Sequence, residues 1–108
     1  MMNTDLPIKG GCACRNIRYT CTQLPFLMFQ CHCRDCQRAL GGLFAANVWF
    51  ATSEISFDTE PTSYIVKSDT GNTVHHEFCS ECGSPVGMRI EEKPGARGLR
   101  ASTLDDPT

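Results

Sequence analysis

Hydrophobic and polar residues alternate over short runs along this chain, and nowhere do they repeat with a sustained helical period. Ile17-Arg18-Tyr19-Thr20-Cys21 has the two-residue period of a half-buried strand, with Ile17, Tyr19 and Cys21 facing inward. Phe44–Phe50 is denser in apolar residues and predicts a strand buried on both faces, with Phe44, Ala46, Val48 and Phe50 on one and Trp49 on the other. Ile55–Phe57, Ser63–Val66, Thr73–Phe78 and Val86–Ile90 predict further strands, with Asp69-Thr70-Gly71 and Lys93-Pro94-Gly95 as turns. One short helix is expected over Arg34–Leu40, closed by Gly41-Gly42. Short strands at near-regular spacing predict a mainly β domain of short antiparallel sheets.

With 108 residues the chain reads as a single domain, 1–108, small enough to leave much surface exposed and to benefit from a staple. Eight cysteines are the candidates for that staple. The net charge is −2 and the ten Lys and Arg are scattered, so no nucleic-acid footprint is expected. The longest apolar run, Leu43–Ala51, is interrupted by Asn47 and is too short to span a bilayer, so no membrane partner is expected either. The opening MMNTDLPIKGG has neither the basic nor the apolar region of an export signal. The expectation is a soluble, cytoplasmic protein with reduced thiols, where dense cysteines indicate metal or redox chemistry rather than disulfides.

Seven of the cysteines fall into spaced groups: Cys12-Ala13-Cys14, Cys31-His32-Cys33-Arg34-Asp35-Cys36, and Cys79-Ser80-Glu81-Cys82 followed by Gly83. Two short-spaced pairs far apart in sequence suit a closed, tetrahedral four-thiolate zinc site, here Cys12, Cys14, Cys79 and Cys82. Such a site supplies folding free energy directly, on the order of 10 kcal/mol near neutral pH. Cys31, Cys33 and Cys36 then remain as three ligands with no further pair, the arrangement of a zinc site with an exchangeable fourth position. His75 or His76, which alternate along one strand, could close it instead, while His32 should point away and Asp35 is awkwardly placed. Cys21 reads as a core residue.

GGCAC followed by IRY, then CHCRDCQRALGG, FCSECGSPV and LRASTLDDP, in this order, resembles the glutathione-dependent formaldehyde-activating enzyme family, also called the centromere-protein-V-like domain. The resemblance implies a β-tent-like fold with two zincs per chain. The structural zinc would be held by Cys12, Cys14, Cys79 and Cys82, and the second, catalytic zinc by Cys31, Cys33 and Cys36. It further implies condensation of glutathione with formaldehyde to S-hydroxymethylglutathione, formally a carbon–sulfur lyase reaction in reverse. Two departures stand out. Arg15 occupies a place where the family commonly has Gly, and the chain stops at Thr108, where the family usually continues into another strand-forming segment.

The expected activity is therefore that of a zinc-dependent enzyme acting on a glutathione or small-thiol adduct of an aldehyde such as formaldehyde. No residue stands out as a general acid or base. Arg34 and Arg38 flank the middle cluster and could pair with the carboxylates of such a thiol; the alternative for both is solvated surface charge. Two other functions fit the cysteines: a non-catalytic zinc-stabilised binding module, and a thiol redox sensor built on Cys31, Cys33 and Cys36.

Overall fold

The computed structural model describes residues 6–106. Strands β1 (Ile8–Gly11), β2 (Arg18–Cys21) and β5 (Ile55–Phe57) form a small antiparallel sheet in the order β1-β2-β5. Six more strands, β3 (Leu27–Cys31), β4 (Ala45–Ala51), β6 (Thr62–Lys67), β7 (Thr73–Phe78), β8 (Pro85–Ile90) and β9 (Ala96–Arg100), build a second antiparallel sheet. Its order is β3-β4-β9-β8-β7-β6. The expected helix is present as α1 (Arg34–Leu40). The fold is thus mainly β, with short antiparallel sheets.

The two sheets enclose a common core. Ile8, Ile17, Tyr19 and Cys21 on the side of the small sheet meet Val48, Phe50, Val86 and Leu99 of the large one. Ile17, Tyr19 and Cys21 are each at most 2% exposed, as their alternation predicts. β4 is buried on both faces: Val48 and Phe50 enter this core, while Trp49 packs with Val74 and Met88 on the other side of the sheet. Phe44 lies just before the strand and stays exposed. A polar clasp joins the sheets. Glu77, 4% exposed, accepts from Arg97 Nε at 3.0 Å and pairs with Arg89, and the Arg97 guanidinium lies 4.3 Å over the Phe57 ring of β5.

Three strands are not marked by the hydrophobic pattern. β1 is glycine-rich because Gly10 lets the Tyr19 hydroxyl and the Thr103 carbonyl approach; a Cβ there would lie 2.3 and 2.4 Å from them. β3 is an edge strand whose Leu27, Met28 and Phe29 all remain exposed, so no alternation develops. β9 carries two arginines, and both are stabilised by acceptors on other strands, Glu77 of β7 for Arg97 and Asn47 of the adjacent β4 for Arg100.

After β9 the chain crosses to the small sheet. Leu104 bridges Gly10, and the Asp105 N–H donates to the Lys9 carbonyl at 2.9 Å. Asp105 clasps the Arg18 guanidinium through both carboxylate oxygens, and the Tyr19 hydroxyl meets the Thr103 hydroxyl at 2.6 Å. Thr103, Leu104 and Asp105 thereby tie the end of the large sheet to the small one. The expected early stop at Thr108 lies outside the described residues. Among those residues, no helix is long and apolar enough to cross a membrane.

Candidate metal centres

The outer cysteines meet because β1 delivers Cys12 and Cys14 to the turn between β7 and β8, which carries Cys79 and Cys82. All four sulfurs lie within 4.8 Å of one another. Cys12 Sγ is 3.6 Å from Cys14 Sγ, which is 3.8 Å from Cys79 Sγ. A tetrahedron with Zn–S bonds of about 2.3 Å has edges of about 3.8 Å, so these two separations match zinc, and the four-sulfur donor set suits it. Backbone N–H groups of Ile17 and Glu81 point at the Cys12 and Cys79 sulfurs at 3.3 and 3.4 Å. The second turn depends on Gly83 at φ 77. The first retains the same kind of left-handed position, but with Arg15 at φ 67 and its side chain exposed.

The four thiols of this cluster crowd one another and titrate unequally. Hydrogen bonds from the side chain and backbone of Ser84 lower the Cys82 thiol to about 5. Burial alone would raise Cys12, but the Ile17 N–H and the Cys14 and Cys79 thiols outweigh it and bring it down. Cys14 is raised to about 12: its bond from the Asn16 backbone is outweighed by burial and by the other three sulfurs. A divalent ion would remove that conflict by taking all four as thiolates.

The middle cluster is local. β3 ends at Cys31, and Cys33 in extended conformation caps α1, its sulfur accepting from the Cys36 N–H at 3.3 Å. The helix turns Cys36 inward, to 1% exposure, and ends at Gly41, φ 75. Cys31 Sγ lies 3.4 Å from Cys33 Sγ and 2.9 Å from Cys36 Sγ. A metal 2.3 Å from each sulfur would widen this triangle by under about 1 Å. Burial and the adjacent sulfurs push the Cys36 thiol up. Burial opposes a thiolate at Cys33 as well, but the Cys36 N–H and the neighbouring thiols bring that thiol down.

No fourth ligand joins this cluster among the described residues. His32 is exposed and packs against Phe44, and Asp35 lies outside the set. His75 and His76 face opposite sides of β7, as alternation predicts, and neither reaches the sulfurs. His75 is engaged by Ser63, Arg89 and Glu91, whereas His76 Nδ1 meets Arg100 Nη2 at 3.2 Å. Arg34 donates to Gln37 along its own helix, at 2.8 Å. Arg38, exposed, lines a cavity of about 220 Å³ between α1 and the large sheet, together with Tyr64, His76 and Arg100. Cys21 is fully buried in the core, where burial raises its thiol to about 12.

Arg100 is the residue the sequence conceals. It is 1% exposed, donates to Asn47 Oδ1 at 2.7 Å, and lies within electrostatic reach of Cys36 and Cys31. Burial lowers its pKa, and those two sulfurs, as thiolates, counteract that shift. The only sequence signal is an arginine in a short apolar strand, which by itself is indistinguishable from a surface charge.

A family model described as glutathione-dependent formaldehyde-activating enzyme matches residues 7–108. No curated protein matches the chain. Among solved structures, a Rhodobacter sphaeroides protein from a structural genomics programme superposes with a TM-score of 0.67 at 20% identity, over 90% of this chain and 87% of that one. At that identity the likeness is one of fold.

Proposed function

Because the chain belongs to the glutathione-dependent formaldehyde-activating enzyme family, we propose that it joins glutathione, or a similar small thiol, to formaldehyde at the middle cluster. The reaction is that of a carbon–sulfur lyase run toward S-hydroxymethylglutathione. The observation that carries this reading is the three-sulfur cluster with no fourth ligand among the described residues; α1, which carries Cys36, also contributes Arg38 and Ala39 to a cavity. Cys31, Cys33 and Cys36 would hold a zinc, and Cys12, Cys14, Cys79 and Cys82 a second, structural one.

Bound at the middle site, zinc would supply an open position that favours the thiolate form of an incoming thiol. The chain's own residues do the rest. Cys33 and Cys36 keep their sulfurs converged because one caps the helix and the other projects from its first turn. Arg38, at the edge of the cavity, is placed to pair with a carboxylate of the thiol. Arg34, already bonded to Gln37, is the weaker candidate for that role. Cysteines committed to metal rather than to disulfides suit a reducing, cytoplasmic setting.

Native mass spectrometry with and without millimolar glutathione, followed by NMR of adduct formation from labelled formaldehyde, tests this reading. Two zincs, a glutathione adduct lost in Cys36→Ser, and a rate above the uncatalysed addition are expected. Two zincs and no rate above background would leave a binding module. Reversible oxidation of Cys31, Cys33 and Cys36 with loss of one zinc would leave a redox sensor.

A further inference from the structure

The edge of a β-sheet presents unpaired N–H and C=O groups, and folded chains blunt it with charge, brevity, a bulge or a covering segment. Three of the four sheet edges here are managed in this way. β1 is bridged by Leu104 and Asp105, β5 is three residues long, and β6 ends in Lys67. β3 has none of these devices. It pairs with β4 in unbroken register from Leu27 to Cys31, and its other side meets no strand among the described residues. Pro25 stands before the strand rather than in it, and from Thr22 to Cys33 the sequence holds no Asp, Glu, Lys or Arg.

This edge is apolar on both faces. Leu27 lies opposite Trp49, Phe29 stacks on the Trp49 ring at 6.3 Å, and Met28 takes the other face. All three are exposed. So are Leu24 and Phe26 before the strand, and Leu43 and Phe44 at its far end, where Phe44 meets His32. These seven side chains, each about half exposed, offer roughly 100 Å² apiece and about 700 Å² together, close to the about 800 Å² per partner of a standard protein interface. The largest apolar patch on an ordinary monomer is roughly 300–600 Å².

We propose that β3 pairs antiparallel with β3 of a second copy of this chain, joining two six-stranded sheets edge to edge. A strand is its own complement under a two-fold axis normal to the sheet. Such an axis keeps Leu27 and Phe29 of both copies on the Trp49 face and both Met28 side chains on the other. Apolar side chains therefore meet apolar ones across the seam, and the outward N–H and C=O groups of both strands find partners together. No charge along Thr22–Cys33 opposes an identical strand, and none is there to select a charged partner. The pairing does not depend on the reaction proposed at the middle cluster.

Sedimentation velocity of the zinc-loaded full chain should show a monomer–dimer equilibrium with a dissociation constant of about 10 μM or below, the weak end for an interface of this area. Met28→Lys puts a charge on the edge and should weaken the dimer by at least about thirtyfold. Ile65→Lys, at a site equally exposed on the opposite edge, should leave it unchanged. Hydrogen exchange needs no variant: amides of Leu27–Cys31 should exchange more slowly at about 100 μM than at about 1 μM, while those of β6 exchange alike at both. If Met28→Lys loses metal or secondary structure, that exchange comparison decides. A wild type that stays monomeric at about 100 μM would overturn the inference. So would a dimer that survives in a folded Met28→Lys, or one that leaves exchange at β3 unchanged. A monomer that instead sediments with phosphatidylcholine vesicles would give the patch to a lipid surface, and the inference would fall.

Discussion

Removing one sulfur from each cluster should cost very different amounts, and the difference can be worked from the chain path. Cys14 and Cys79, neighbours in the outer cluster, are 65 residues apart, whereas Cys31 and Cys36 in the middle cluster are 5 apart. Treated as cross-links, loops of these lengths constrain the unfolded chain by about 4 and about 2 kcal/mol. The matched pair of variants is Cys82→Ser and Cys33→Ser, since both sulfurs are exposed and neither substitution opens a hole in the core. Serine at 33 also preserves the helix cap, because it is a favoured N-cap residue and can accept from the Cys36 N–H. Each variant should lose one metal. Cys82→Ser should then lose about 2 kcal/mol more stability than Cys33→Ser, a melting temperature lower by roughly 10 °C. Urea titrations followed through the single tryptophan, Trp49, with metal counted by mass spectrometry, would measure it. Equal losses, or a larger loss in Cys33→Ser, would refute the division into a cross-linking outer site and a locally held middle one.

Two further outcomes follow from single residues. Arg15→Gly removes a left-handed arginine whose side chain is exposed and should stabilise the protein by about 1 kcal/mol in the same titration; a loss of stability would mean that Arg15 makes a contact worth more than its strain. The Arg18 bond holds the Asp105 carboxyl below its ordinary range, so its stabilisation is complete above the unfolded value near 3.9 and fades as pH falls through the folded value. Asp105→Asn should therefore flatten the loss of stability below about pH 4 and leave the profile between pH 6 and 8 unchanged; an unaltered acid limb would exclude the pair as a contributor.

Much of the site is legible in the order and spacing of the residues. A Cys-x-Cys or Cys-x-x-Cys spacing is short enough that local chain geometry alone brings two sulfurs together, and the grouping of Cys12, Cys14, Cys79 and Cys82 against Cys31, Cys33 and Cys36 is the one observed. The helix Arg34–Leu40 is equally legible, since its cap at Cys33 and its stop at Gly41 are local. So are the strands whose alternation meets a single core, as at Ile17, Tyr19 and Cys21. What no local pattern carries is pairing between distant strands. β1, β3 and β9 lack a strand signature for reasons that lie elsewhere in the chain: Gly10 makes room for Tyr19 and Thr103, β3 is an exposed edge, and Arg100 and Arg97 of β9 find acceptors in Asn47 and Glu77. For the same reason an arginine that reads as surface charge is buried within electrostatic reach of the middle sulfurs, and a histidine with the chemistry of a ligand instead accepts from that arginine. A side chain's own chemistry is local, but its burial and its hydrogen-bond partners are decided by strands far away in sequence.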